Sequence, residues 1–144
     1  MLAQQRDKAL AEPRAWKHAS GPKPGPAVLA DAALAWTVVK HLKSNAVAIA
    51  AGRRLLGAGC GQVDRVTACR LAVEKAGPRI LGEPTPVAAS EAFFPFPDGP
   101  RLLIEAGVKC IVHPGGSKRD QETLDLCKER DVTCLLTGVR HFRH

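Results

Sequence analysis

The chain has 144 residues, 45% of them hydrophobic, and a formal net charge of +7. That length suits one compact domain with a single core, and no apolar run approaches the ~20 residues a membrane-spanning helix needs. The positive charge admits an anionic partner, either nucleic acid or a phosphorylated or carboxylated small molecule, and equally a solvated basic surface with no specific ligand.

In chain order, "MLAQQ" reads as a short strand. It lacks the apolar core of a signal peptide, so a cytoplasmic protein is expected. Four of the eleven prolines fall between Glu12 and Pro26, which marks a loop. Val28, Ala32, Ala35, Val39 and Leu42 follow helical spacing and predict an amphipathic helix over 28–42. "NAVAIAA" and "RLLGAG" flank Gly52-Arg53 and read as a β-hairpin. "VDRVTACRLAVEKAG" predicts a second helix, ended by Gly77 and Pro78. "PVAAS" is a short strand leading into "SEAFFPFPDG". "GPRLLIEAG" is a short helix with Asp98 as candidate N-cap and Gly107 as stop. "VKCIVH" is a buried strand. "SKRDQETLDLCKERD" is a third long helix, with Ser117 as N-cap and Asp120 three residues later. "VTCLLTG" is the last strand.

The second half thus alternates strand, helix, strand, helix, strand. That order calls for parallel strands and, with the hairpin, an α/β fold: a layered mixed sheet with helices on both faces. Ligands in such folds bind outside the carboxyl ends of the strands, where "SEAFFPFPDG", "HPGGSKRD" and "VRHFRH" emerge. "HPGGS" offers backbone N–H groups to an anion at a helix start, or is a plain tight turn. "GAGCGQVDR" does not fit a dinucleotide fingerprint, and its Arg65 either grips a phosphate or carboxylate in bidentate fashion or lies on the surface. Three of the four phenylalanines, Phe93, Phe94 and Phe96, stand in one proline-stiffened stretch. They either face a flat heterocycle or plug the loop onto the core, and the two roles are compatible. The five cysteines, Cys60, Cys69, Cys110, Cys127 and Cys134, are expected to be free thiols. Cys110 and His113 have CxxH spacing without a second pair, so no metal is expected and Cys110 reads as core.

Together, "VKHLKSNAV", "GAGCGQVDRV", "SEAFFPFPDG", "HPGGSKRD" and "TGVRHFRH" resemble, in that order, the C-terminal half of the AICAR formyltransferase domain of the bifunctional AICAR transformylase/IMP cyclohydrolase family. The opening "LAQQRD" resembles the strand before that half. The resemblance implies a cytidine-deaminase-like subdomain over 28–144, preceded by an N-terminal strand and Pro/Gly-rich linker over 1–27. It implies formyl transfer from 10-formyltetrahydrofolate, as co-substrate, to the 5-amine of AICAR in de novo purine (IMP) synthesis. Asn45, Arg65, Phe93 and Arg140 fall where the family holds AICAR. Val66, Asp98, Ser117 and Lys118 fall where it holds the folate, and His144 is a candidate accessory group near the reacting centre. The phosphate of AICAR and the carboxylates of folate account for a basic site. Partners implied are these two ligands and a homodimer or a first-half transformylase subdomain, with no nucleic acid and no membrane.

The sequence departs from the family pattern at Asp64 (usually Ser), Glu91 (usually Asp) and Pro97 (usually Arg). Asp64 is expected to weaken the hold of Arg65 on an anion, and Pro97 removes a cation from the folate loop. Lys40-His41 shares two letters with the family's catalytic Lys-His pair, but it precedes "KSNAV" rather than a Val-Ser-Pro-Ala-Gly run, so His41 reads as a helix-surface residue. Two other readings stand beside this one: a non-catalytic ligand-binding or dimerisation module, and a basic nucleic-acid-binding domain. The second lacks aromatic residues interleaved with the basic ones.

Overall fold

The computed structural model describes residues 12–138. The strand expected over 1–5 and the tail carrying Arg140 and His144 lie outside them. Among the described residues, six strands form one mixed sheet with four α-helices packed against it. The strands are β1 (Lys17–Ser20), β2 (Val47–Ala51), β3 (Arg54–Gly59), β4 (Val87–Ser90), β5 (Cys110–His113) and β6 (Thr133–Leu136). The helices are α1 (Pro26–Lys40), α2 (Arg65–Ala76), α3 (Asp98–Ala106) and α4 (Asp120–Glu129). The spatial order is β1-β6-β5-β4-β2-β3. β4, β5 and β6 run parallel, as the alternating pattern requires, while β2 is antiparallel to β3 and β4, and β1 is antiparallel to β6.

Helices cover both faces, and the strand period of two assigns each side chain. Val47, Ile49, Ala88, Ile111 and Cys134 point into the core shared with residues of α2, α3 and α4. Their neighbours Ala48, Ala50, Ala89, Cys110, Val112 and Leu135 point the other way, onto Ala32, Ala35, Trp36 and Val39 of α1. Cys110 is therefore core, as expected. All five cysteines are free, and only Cys60 is exposed.

The expected hairpin forms around Gly52 and Arg53, both at positive φ (57° and 62°). Asp31, on α1, holds that turn: its carboxylate accepts from the Gly52 and Arg53 amides at 3.1 and 2.7 Å. On the return strand, a Cβ at Gly57 would stand 2.5 Å from both the Ala72 carbonyl oxygen and the Ala76 amide nitrogen. The bare glycines of β3 thus let α2 lie directly on the sheet.

Three expectations about element limits need correction. The segment expected to be loop contains β1, whose Lys17, His18 and Ser20 register with Leu136, Leu135 and Cys134. The prolines that suggested a loop lie on either side of this strand: Pro13 is in a short 3₁₀ turn and Pro22 follows it, so Lys17–Ser20 keeps every ladder N–H. Helix α3 starts at Asp98 itself rather than being capped by it; the carboxylate accepts from the Gly99 amide at 2.8 Å. Helix α4 starts at Asp120, not after Ser117. The first helix begins at Pro26, where a missing N–H costs nothing, and ends at Lys40. Gly107, at φ 116°, ends α3 as expected.

Candidate functional site

The carboxyl ends of β3, β4, β5 and β6 lie at one end of the sheet, and β2 begins there, with Val47 opposite Ser90. Helices α2, α3 and α4 follow β3, β4 and β5, so all three N-termini and their positive dipole ends gather at this end. Of the loops expected to cluster by topology, "SEAFFPFPDG" and "HPGGSKRD" do so, and "VRHFRH" lies outside the described residues.

At its centre is Arg65, the first residue of α2 and only 7% exposed. Its Nη1 donates to Glu91 Oε2 at 2.5 Å and to the Ala46 carbonyl at 3.2 Å. Its Nη2 donates to Asn45 Oδ1 at 2.7 Å. Asn45 Nδ2 in turn donates to the Gln62 carbonyl at 3.0 Å. Glu91, 1% exposed, also accepts from the Ala46 amide at 3.1 and 3.2 Å. The cluster joins the start of β2, the end of β4 and the N-terminus of α2. The surface reading of Arg65 is therefore corrected: the residue is buried, its two terminal nitrogens bond within the chain, and its Nε has no partner. Asp64 serves α2. Its carboxylate caps α2 by accepting from the Thr67 amide at 2.7 Å, and the hydrogen bonds to Thr67 hold its pKa below the usual carboxylate range. The acid that compensates Arg65 is Glu91.

The three phenylalanines divide their roles. Phe94 is buried and meets the His113 ring edge-on, with centroids 5.3 Å apart. Phe93 lines a pocket of about 300 Å³ with Pro114, Gly115, Gly116 and Gly138. Phe96 is half-exposed, with the Arg119 guanidinium 4.9 Å above its ring. The plug onto the core is Phe94, and the ring beside it, Phe93, lines the pocket. Ser90 pins the turn between strand and loop by donating to the Ala92 carbonyl at 2.7 Å.

"HPGGS" does not leave its amides free. Asp120 reaches back from α4 and accepts from the Gly116 and Ser117 amides at 2.8 and 3.2 Å. His113 Nδ1 accepts from the Gly115 amide at 3.2 Å, and Ser117 Oγ accepts from the Arg119 amide at 3.1 Å. A side-chain carboxylate takes the place an anion would fill, so the loop is a pre-satisfied turn. His113 is buried, which pushes its pKa down to about 4 and keeps the ring neutral. With Nδ1 accepting, the proton stands on Nε2, which faces Cys134 Sγ at 3.7 Å.

Of the expected AICAR residues, Asn45 and Arg65 are joined by a hydrogen bond and Phe93 lines the pocket at the same sheet end. Of the expected folate residues, Val66 follows Arg65 in the first turn of α2, Asp98 opens α3, and Ser117 and Lys118 lie in the loop before α4. Arg140 and His144 are outside the described residues. His41, just past the end of α1, is exposed as expected. The structural parts played by Glu91, Asp120 and His113 were not anticipated. The one signal for Glu91 was an acid directly after an apolar strand, where burial demands a cation. Burial pushes the Cys69 and Cys110 thiols up to about 12, and among the described residues no group of three or more His, Cys, Asp or Glu could hold a metal ion. No described helix is long and apolar enough to cross a membrane.

Comparison with known proteins places the chain in a family. The model for the AICARFT/IMPCHase bienzyme matches residues 1–75. The bifunctional purine biosynthesis proteins PurH of Mycobacterium marinum (strain ATCC BAA-535 / M) and Mycobacterium ulcerans (strain Agy99) are each 50% identical to the chain over 147 residues. These alignments cover 100% of the chain and 28% of each relative's length. With a family match over more than half of its residues and relatives this similar along its full length, the chain belongs to the AICARFT/IMPCHase bienzyme family.

Proposed function

We propose that the chain forms the substrate-binding half of an AICAR formyltransferase, the enzyme that passes a formyl group from 10-formyltetrahydrofolate to the 5-amine of AICAR in purine synthesis. The observation that carries this reading is that one end of the sheet holds both the bonded pair Asn45 and Arg65 and a pocket of about 300 Å³ lined by Phe93, Gly115 and Gly116. Three helix N-termini lie at that end of the sheet, and the net charge of +7 favours the phosphate of AICAR and the carboxylates of folate. In this reading Asn45, Arg65, Phe93 and Arg140 hold AICAR, while Val66, Asp98, Ser117 and Lys118 hold the folate. His144 is an accessory group in this reading. The family's Lys-His acid/base pair has no counterpart among these residues, so another subdomain supplies it, on a first-half partner in the cytoplasm with which the chain or its homodimer associates. General acid–base catalysis is typically worth ~10²–10⁴-fold, so this chain assayed by itself is expected to transfer no formyl group at an enzymatic rate.

Calorimetric titration tests the reading. The chain should bind AICAR, and Arg140→Ala should weaken that binding ~10- to 150-fold, the value of one charge-assisted contact. Folate binding should change much less. Absence of AICAR binding at millimolar concentration, or formyl transfer by the chain alone, would sink the proposal. Equal AICAR affinity in wild type and Arg140→Ala would remove the tail from the site.

A further inference from the structure

We propose that Glu91 is a positioning residue, whose charge fixes the Arg65 guanidinium in the orientation that the site presents to AICAR. The proposal rests on the functional reading above. Glu91 is the first residue after β4 and is 1% exposed. Such a carboxylate needs both a cation and hydrogen-bond donors, and it has them: Arg65 Nη1 at 2.5 Å and the Ala46 amide at 3.1 and 3.2 Å. Arg65 is bound on two sides, by Glu91 and the Ala46 carbonyl at Nη1 and by Asn45 at Nη2. A planar guanidinium fixed at two nitrogens cannot turn about its axis. Its Nε is the guanidinium nitrogen left buried without a partner.

The same carboxylate ties the Asn45–Ala46 segment to the strand that leads into the Phe93 loop. Three elements that carry expected AICAR contacts are therefore set in register by one side chain. Loss of the charge would free the guanidinium to swing and would leave the Ala46 amide only a neutral acceptor; loss of volume alone would do neither. Glu91 acts through Arg65 and Asn45 rather than by touching the ligand.

The test uses the full chain with Glu91→Gln and Glu91→Asp. Nitrogen-15 spectra report whether the Arg65 Nη protons are separately resolved, as they are when rotation is blocked. Calorimetry reports AICAR and folate affinity. Resolved Arg65 signals are expected in wild type and Glu91→Asp and collapsed signals in Glu91→Gln. AICAR binding should fall at least tenfold in Glu91→Gln, stay within threefold in Glu91→Asp, and folate binding should stay within threefold in both. Unchanged Arg65 signals or AICAR affinity in Glu91→Gln overturns the proposal, as does an equal loss in the two variants. Should Glu91→Gln not fold, Glu91→Asp decides: AICAR affinity within threefold supports the role of charge, and a tenfold loss rejects it. If wild type binds no AICAR, the functional reading fails, while the Arg65 signals still decide the positioning role.

Discussion

His113 makes the stability of the fold depend on pH in a defined direction. The ring is 1% exposed, wedged between Phe94, Cys134 and the Gly115 amide, and burial pushes its pKa from 6.5 down to about 4. Protonation would also turn Nδ1 from acceptor to donor and break its bond with Gly115. Between pH 6.5 and about 4 the unfolded chain binds a proton that the folded chain refuses, so stability is full above 6.5 and falls as the pH drops towards 4. At about 1.4 kcal/mol per pH unit, the whole window is worth about 3 kcal/mol, and a step from pH 7.5 to 5.0 removes about 2 kcal/mol of it. Other groups titrate in the same range, so the comparison is with His113→Asn, whose amide oxygen can take the place of Nδ1. Urea unfolding at the two pH values should show a drop in wild type about 2 kcal/mol larger than in the variant. Parallel losses in the two proteins would mean that His113 titrates normally in the fold and would refute the argument.

Gly57→Ala puts a methyl group against the backbone of α2 at Ala72 and Ala76, and should cost ~1–3 kcal/mol, read as a Tm several degrees lower. An unchanged Tm would show that α2 can lift from β3 without loss. Cys60 alone is exposed, while Cys69, Cys110, Cys127 and Cys134 are buried. A thiol reagent at pH 8 should therefore modify one cysteine rapidly in the folded chain and all five in denaturant; rapid modification of a second would contradict the packing of α2, α4, β5 or β6, whichever carries it.

Much of the fold was legible because its signals are local. The helical spacing of Val28, Ala32, Ala35 and Val39 marked α1, Gly52-Arg53 marked the hairpin turn, and the short apolar runs of β4, β5 and β6 separated by helices required parallel strands. The loops that carry the site followed from that order, since the carboxyl ends of parallel strands must share an edge. Sequence by itself also determined the residue types at the site and, through five ordered motifs, the family resemblance.

What only the tertiary structure decided are interactions between groups far apart in the chain. β1 is a strand because β6, at the other end of the chain, offers it an open ladder; the flanking prolines hid this. Arg65 and Glu91 are 26 residues apart, and although an acid directly after an apolar strand demands a cation, nothing in either neighbourhood says that the cation is Arg65. Asp120 reads equally well as an ordinary first-turn acid until the fold of "HPGGS" shows it accepting the amides that an anion would need. Local propensity specifies which elements form, but the partner of a buried charge is set by which side chains the packed layers bring together, and that is a property of the assembled sheet and helices alone.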